Sequence, residues 1–330
     1  MIALISQVIG EGTTELVMDW LRYLGADVAR VNGEQLNAED AIELRIGAGP
    51  GAVRIDAGDR AVSPQTVRAV WQRRWHTLEN LSDLQRNDAS GLGHKVLGHL
   101  ARELVALRRG LEDGLRSASW LTRGRDTDMD KLRVLRLAID AGLEVPPTMV
   151  TNRRATLEAF LAEQGRVICK PLGEAESFQV GNASYAMFTA EVTPQLVARL
   201  PERFFPSLFQ ARIEKQYELR VFYLARRCWA MAIFSQGDAQ TEVDFRNYNW
   251  SRPNRSVPFS LPPELEARLR DLMTRLQLDT GSIDLIRTAD GGYVFLEINP
   301  VGQFGMVSLP CNYFLERRVA EHLMEIHDAA

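Results

Sequence analysis

The stretch GSIDLIRTADGGYVFLEIN, residues 281–299, constrains this chain more than any other, because two carboxylates and an amide interrupt runs that are otherwise apolar and strand-forming. It reads as two β-strands joined by ADGG, and Asp-Gly or Gly-Gly is the expected centre of a two-residue hairpin turn. With Asp290-Gly291 central, Asp284 faces Glu297; with Gly291-Gly292 central, it faces Asn299. Side chains alternate along a strand, so either register puts Asp284, Glu297 and Asn299 on one face beside Ile286 and Phe295, with Val294, Leu296 and Ile298 on the other. Two carboxylates roughly 5 Å apart at Cβ repel unless a cation or a shared proton lies between them. Oxygen donors with neither His nor Cys among them suit a hard divalent cation that completes its shell with water and phosphate oxygens, as magnesium does.

The rest of the composition removes competing classes. A chain of 330 residues is long for one core and suits two or three subdomains. It is 45% hydrophobic and 25% charged, with no apolar run long enough to span a bilayer. MIALISQVIGEGTTELVMDW carries no basic leader and reads as a first strand, so the expected location is the cytoplasm. A formal net charge of −4 lacks the basic excess of a nucleic-acid binder. Cys169, Cys228 and Cys311 are far apart and show neither a disulfide framework nor zinc spacing. Only Lys95, Lys131, Lys170 and Lys215 of the 39 basic residues are lysines, which makes each a candidate for a site preferring a compact point charge, with a plain surface role the equal alternative.

Three units follow from patterning. IALIS, TTELVMDWLRYLG and ADVARVN form a strand–helix–strand opening, although GEGTTE is not a dinucleotide fingerprint. From about Pro64 to Ser119 the pattern turns helical, SPQTVRAVWQRRW opening on a Ser-Pro start signal and HKVLGHLARELVALRRGLEDGL running long and amphipathic. VWQRRW is either a buried helix face with solvated arginines or a substrate contact. The expected boundaries are 1–124 for an N-terminal domain, 125–209 for a central unit and 210–330 for a C-terminal antiparallel unit. In the second, Lys170 leaves the apolar strand RVICK just before a proline and a glycine, from which it reaches a phosphate or keeps a sheet edge soluble.

Lys131, Lys170, FQARIEKQYELRV and the set Asp284, Glu297 and Asn299 occur in the order used by ATP-grasp ligases. VWQRRW, VDFRNYNW, GSIDLI and FLEINPVGQFGMVSLPCNYFLE resemble the peptide-modifying branch that makes graspetides, the omega-ester or omega-amide peptides, and especially its grasp-with-spasm maturases. The resemblance covers roughly residues 120–330. It implies an α/β ATP-grasp fold with an N-terminal pre-ATP-grasp domain, a central lid subdomain and a C-terminal antiparallel-sheet subdomain. It further implies ATP and Mg2+ as cofactors, and a ribosomally made precursor peptide with a leader and an acidic core as partner, with no nucleic acid, no membrane and a possible homodimer.

Carried over residue by residue, the resemblance gives Lys131 and Lys170 to the ATP phosphates, Gln210, Ala211, Arg212 and Ile213 to the adenine edge, and Glu218 to the ribose hydroxyls. Asp284, Glu297 and Asn299 would hold magnesium. Arg220 and Arg246 would stabilise the transferred phosphoryl and acyl-phosphate oxygens, with Arg255 competing, because the guanidinium fork can make two parallel bonds to phosphate. The segment after Lys170, where many relatives carry a glycine-rich lid, is not glycine-rich here, leaving Ser177 and Ser184 as possible donors. The implied reaction phosphorylates an Asp or Glu side chain of the peptide and closes a ring with a Ser, Thr or Lys side chain. Addition of a free amino acid to a carboxylate, and nucleotide-responsive binding of a peptide without turnover, are the alternatives.

Overall fold

The computed structural model describes every residue except 9, 38–39, 48–52, 76–91, 123–128, 174–176, 181–182, 187–188 and 237–252, with backbone alone for 37, 92, 94, 177–180 and 183–186. The chain opens with β1 (Ile2–Ser6), α1 (Gly12–Tyr23) and β2 (Val28–Asn32), the strand–helix–strand unit expected. A small antiparallel sheet of β3 (Ala41–Leu44), β4 (Val53–Ala57) and β5 (Arg60–Val62) follows, then β6 (Ala69–Gln72), α2 (Leu92–Gly114) and β7 (Ser119–Thr122). Strands β2-β1-β6-β7 form a parallel sheet in that order.

The helical reading of residues 64–119 therefore holds for α2 and fails at VWQRRW. All four residues of β6 are buried, and a strand covered on both faces loses the alternation that separates strand from buried helix. The Ser-Pro signal closes a turn instead: the Ser63 amide donates to Thr66 Oγ1 at 3.0 Å, and the Val67 amide donates to the Ser63 carbonyl at 3.0 Å.

The middle of the chain holds α3 (Lys131–Asp140), β8 (Thr148–Arg153), α4 (Arg154–Gln164) and β9 (Val167–Lys170). Asp130 caps α3 by accepting from the Leu132 and Arg133 amides, and Gly142 just beyond its end takes φ +78°, a conformation glycine adopts without strain. The hairpin of β10 (Ser177–Val180) and β11 (Ala183–Ala186) occupies the expected lid segment, followed by β12 (Ala190–Glu191), α5 (Pro194–Arg199) and β13 (Arg203–Ala211). Strands β12-β9-β13-β8 form an antiparallel sheet.

The last unit is the antiparallel sheet β16-β15-β14-β17-β18, built from β14 (Lys215–Leu224), β15 (Arg227–Phe234), β16 (Arg255–Phe259), β17 (Thr280–Thr288) and β18 (Tyr293–Asn299). Helices α6 (Pro263–Leu276), α7 (Gly305–Cys311) and α8 (Leu315–Asp328) accompany it. Alternation along β14 divides the cores. Leu219, Val221 and Tyr223 pack with α3 and α6, whereas Phe222 and Leu224 join a core shared with α7, α8 and the N-terminal Leu4, Val17 and Trp71. Glu218 and Arg220 continue that second face toward its polar end.

The final hairpin uses neither two-residue turn. The Thr288 amide donates to the Gly292 carbonyl, so the loop has three residues, with Gly291 at φ +96°. Near this loop Leu285 pairs with Phe295, but Asp284 pairs with Glu297, so one extra residue, Leu296, sits in a β-bulge between them. The bulge reverses the face expected for Phe295. That ring is fully buried with Ile298, Leu285 and Ile283 in the core against α3 and α6, while Glu297 stays on the face of Asp284.

Candidate active site

Where β13 passes into β14 the chain crosses from the central sheet to the C-terminal one, and a cavity of about 340 Å³ opens beneath the crossing. One wall is Ile168 and Lys170 of β9 with the linker Gln210, Ala211, Arg212 and Ile213; the other is Lys215 and Glu218 of β14, Asp284 and Ile286 of β17, and Leu296 and Glu297 of β18. The strand alternation explains this lining. Glu218, Asp284 and Glu297 lie on one face of adjacent strands, and the bulge adds Leu296 to that wall as an apolar neighbour.

The charges in the wall are already organised. Asp284 lies between two cross-strand neighbours, Glu297 on β18 and Arg220 on β14, and Arg220 Nη1 donates to Asp284 Oδ2. A cation beside the facing carboxylates is thus supplied from a third strand. Glu218 Oε1 accepts from Lys215 Nζ and, at 2.8 Å, from Ser235 Oγ. Burial pushes the Glu218 carboxyl above its ordinary pKa; Lys215 and the Ser235 hydrogen bond oppose the shift, and Asp284 adds to it. Gln210 donates from Nε2 to Thr148 Oγ1 at 3.0 Å, while its buried Oε1 and the buried Nε2 of Gln236, which also lines the cavity, have no hydrogen-bond partner among the described residues.

Several expected residues lie elsewhere. Lys131 Nζ donates to the Pro171 and Gly173 carbonyls at 3.0 and 2.7 Å, so it ties the first residues after Lys170 to the start of α3. Arg220 stands behind Asp284 and is not part of the cavity lining. Arg255 sits on the outer strand β16 with its guanidinium 5.5 Å from the Phe234 ring centre. Asn299 is exposed at the end of β18 and pairs with Ser282, on the same face as the Asp284–Glu297 pair. Arg246 and the side chains of Ser177 and Ser184 lie outside the described residues. Arg212 lines the cavity while its Nη1 donates to Glu191 Oε2 at 2.7 Å.

These groups fit a nucleotide with a hard cation. Gln210 and Gln236 offer an unmet acceptor and an unmet donor beside a linker backbone, the pattern a heterocyclic base edge requires. No cluster of three or more His, Cys, Asp and Glu side chains occurs among the described residues. Asp284 and Glu297, with the Asn299 amide at the strand end, leave most of an octahedron for water and phosphate, which suits Mg2+ better than a fully protein-ligated metal.

Comparison with known proteins agrees with this geometry. Residues 1–123 match the MvdD pre-ATP grasp domain. No curated protein matches the chain closely enough to count as a relative. Among solved structures, the macrocyclase MdnC of Microcystis aeruginosa MRC, bound with its precursor peptide MdnA, has 27% identity and a TM-score of 0.83, covering 98% of this chain and 99% of that one. A RiPP-associated ATP-grasp ligase of Chryseobacterium gregarium, in complex with ADP and a leader and core peptide, has 22% identity, TM-score 0.83, and coverage of 98% and 96%. The chain has the ATP-grasp fold. The ATP-grasp ligase PsnB, complexed with a minimal precursor, Mg and ADP, shares that fold at 19% identity and TM-score 0.75 over 99% and 97% of the two chains.

Within the ATP-grasp fold, Lys215 and Gln236 are among the cavity residues that the sequence motifs left without a role. Lysine scarcity singled out Lys215, and its spacing of three from Glu218 on a strand gave no hint of contact, because i and i+3 face opposite ways in a regular strand. A register shift between Lys215 and Tyr217 against β17 removes that obstacle.

Proposed function

We propose that the protein is an ATP-dependent ligase that activates Asp or Glu side chains of a ribosomally made precursor peptide and closes ester or amide rings with Ser, Thr or Lys side chains of the same peptide. The observation that carries this reading is the placement of Asp284 opposite Glu297 in the wall of a cavity that also receives Lys170, the 210–213 linker and Glu218. The full-length likeness to MdnC supports the peptide as substrate.

In this reading Gln210 and Gln236 meet the adenine edge with the linker backbone, Glu218 accepts from the ribose hydroxyls, and Lys170 meets the phosphates. Lys131 keeps the segment after Lys170 anchored to α3. Asp284, Glu297 and Asn299 hold Mg2+, which when bound disperses charge on the transferring phosphoryl group. Arg220 sets the position of the Asp284 carboxylate, and Arg246 and Arg255 are the remaining candidates for the acyl-phosphate oxygens. A peptide carboxylate oxygen attacks the γ-phosphorus and ADP leaves; a hydroxyl or amine of the peptide then attacks the acyl carbon, loses its proton, and phosphate leaves. The β10–β11 hairpin, which follows Lys170 in sequence, is the candidate lid that keeps water from the acyl phosphate. The setting proposed is the cytoplasm, with the enzyme as a homodimer.

The test is intact-mass measurement of a short acidic precursor peptide encoded beside the gene, incubated with protein, ATP and Mg2+, with Asp284→Ala as control. Loss of one or more waters, absent in the control, is the expected result. Gain of an amino-acid residue would instead identify a ligase using a free acceptor, and unchanged mass with ATP intact would remove the ligase reading for that peptide.

A further inference from the structure

The residues Val301-Gly302 that follow Asn299 are gripped from two sides. On one side, Gly302 lies against the hairpin: its amide donates to the Asn299 carbonyl at 3.0 Å, and a Cβ there would come within 2.5 Å of Ser282, the cross-strand partner of Asn299. On the other side is Arg73, at the end of β6 in the N-terminal sheet. Its Nη1 donates to the Val301 carbonyl and, at 3.4 Å, to the Gly302 carbonyl. Its Nε donates to Glu11 Oε2 at 3.3 Å, and the guanidinium lies 5.1 Å from the Trp71 ring centre and 5.9 Å from that of Phe304.

The grip is built and not incidental. The Arg73 and Glu11 side chains are 3% and 0% exposed. Glu11 is itself fixed: it accepts from Thr14 Oγ1 at 3.0 Å, Thr14 contacts Ser6 Oγ at 3.1 Å, and Arg74 Nε lies 3.4 Å from its other oxygen. Gln303 Nε2 adds a contact of 3.5 Å to the Gly10 carbonyl, so the β1–α1 loop and the end of β6 meet the same turn. A guanidinium is suited to this place because its rigid fork can serve a carboxylate and two carbonyls together. The turn it holds begins at Asn299, two residues from Glu297.

We propose that Arg73, oriented by Glu11, is a positioning residue for the cation-binding end of the site: it fixes the 299–302 turn, and through it Asn299 and Glu297, from the N-terminal domain. The inference rests on the ligase reading. It also gives that domain a part in catalysis, because the metal ligands are then held in place from outside the sheet that carries them.

The test measures ADP binding to the full chain by calorimetry, with and without Mg2+, for wild type, Arg73→Ala and Arg73→Lys. Arg73→Ala is expected to raise the Mg2+ concentration that half-saturates the metal-dependent gain in ADP affinity about tenfold, while metal-free ADP affinity changes less than twofold. Arg73→Lys, which keeps one donor for Val301, should fall between, and it carries the test if the alanine variant does not fold. An unchanged Mg2+ dependence in a folded variant, or equal weakening with and without metal, overturns the positioning role and leaves the ligase reading standing. A wild-type chain that binds no ADP at all overturns both.

Discussion

Two buried arginine–carboxylate pairs flank the Asn299 end of the final hairpin, and their surroundings differ. Arg220 meets Asp284 within one sheet, at the wall of the cavity and directly across from a second carboxylate. Arg73 meets Glu11 at the seam between the N-terminal sheet and the 299–302 turn, with a second arginine, Arg74, on the same carboxylate. Burying an ion pair is a poor guide to stability, since desolvation offsets much of the attraction. What separates the two is the local charge balance. Asp284 faces a second carboxylate, Glu297, across the strand pair, whereas Glu11 faces two arginines, one near each of its oxygens. Asp284 thus opens onto a cavity, and the Arg73–Glu11 pair is enclosed.

The largest expected effect comes from breaking the first pair. Asp284→Ala should lower ATP-dependent turnover by about a hundredfold or more, because even partners one step removed from a metal cost roughly 10- to 100-fold when lost. It also strands Arg220, so the unfolding free energy in urea should drop by about 3–5 kcal/mol. Asp284→Asn, which keeps an oxygen for Arg220, should lose the turnover with a smaller drop in stability. Turnover above a tenth of wild type in either variant would place the metal elsewhere.

Breaking the second pair should reverse the emphasis. Glu11→Ala removes the partner of a buried guanidinium, which predicts a loss of about 3 kcal/mol in urea unfolding and a smaller loss of turnover than Asp284→Ala. Equal losses of turnover in the two variants, with stability intact, would erase the distinction. Gly302→Ala approaches the same turn from the hairpin side. Its methyl must displace Ser282 or the turn itself, so a cost of about 1–3 kcal/mol is expected, read as a shift in urea midpoint at constant slope.

The sequence made some of this arrangement legible and hid the rest for identifiable reasons. That Asp284 and Glu297 share one face follows from alternation, though not that they face each other, and Lys170 at the end of an apolar strand and Gly142 closing a helix follow from local rules. The strand β6 was hidden because burial on both faces erases periodicity, and the bulge at Leu296 because nothing in VFLEIN marks which residue will go unpaired. Arg220 against Asp284 and Arg73 against Val301 join positions 64 and 228 residues apart, contacts that exist only once three strands or two domains have assembled. Local pattern thus found the carboxylates, and tertiary structure alone supplied their cations.

A third pair, Lys215 with Glu218, gives the smallest effect and the finest test of whether a cation in the cavity is structural or functional. Burial raises the Glu218 carboxyl above its ordinary value, and Lys215 works against that rise. A carboxyl with a raised folded-state value binds its proton more tightly when folded. Its contribution to stability is therefore present at low pH and lost as pH rises through that value. Binding a ribose hydroxyl as an acceptor has the opposite sign, since it needs the ionised form and fails as pH falls through the same value. Lys215→Met removes an opposing charge, so the pH at which ADP affinity halves on acidification should move upward, while affinity well above the titration changes little. Calorimetry of ADP binding across pH measures it. A midpoint that stays put, or moves down, would mean that Glu218 does not contact the nucleotide as a carboxylate, and that the Lys215 pair serves only to hold the fold.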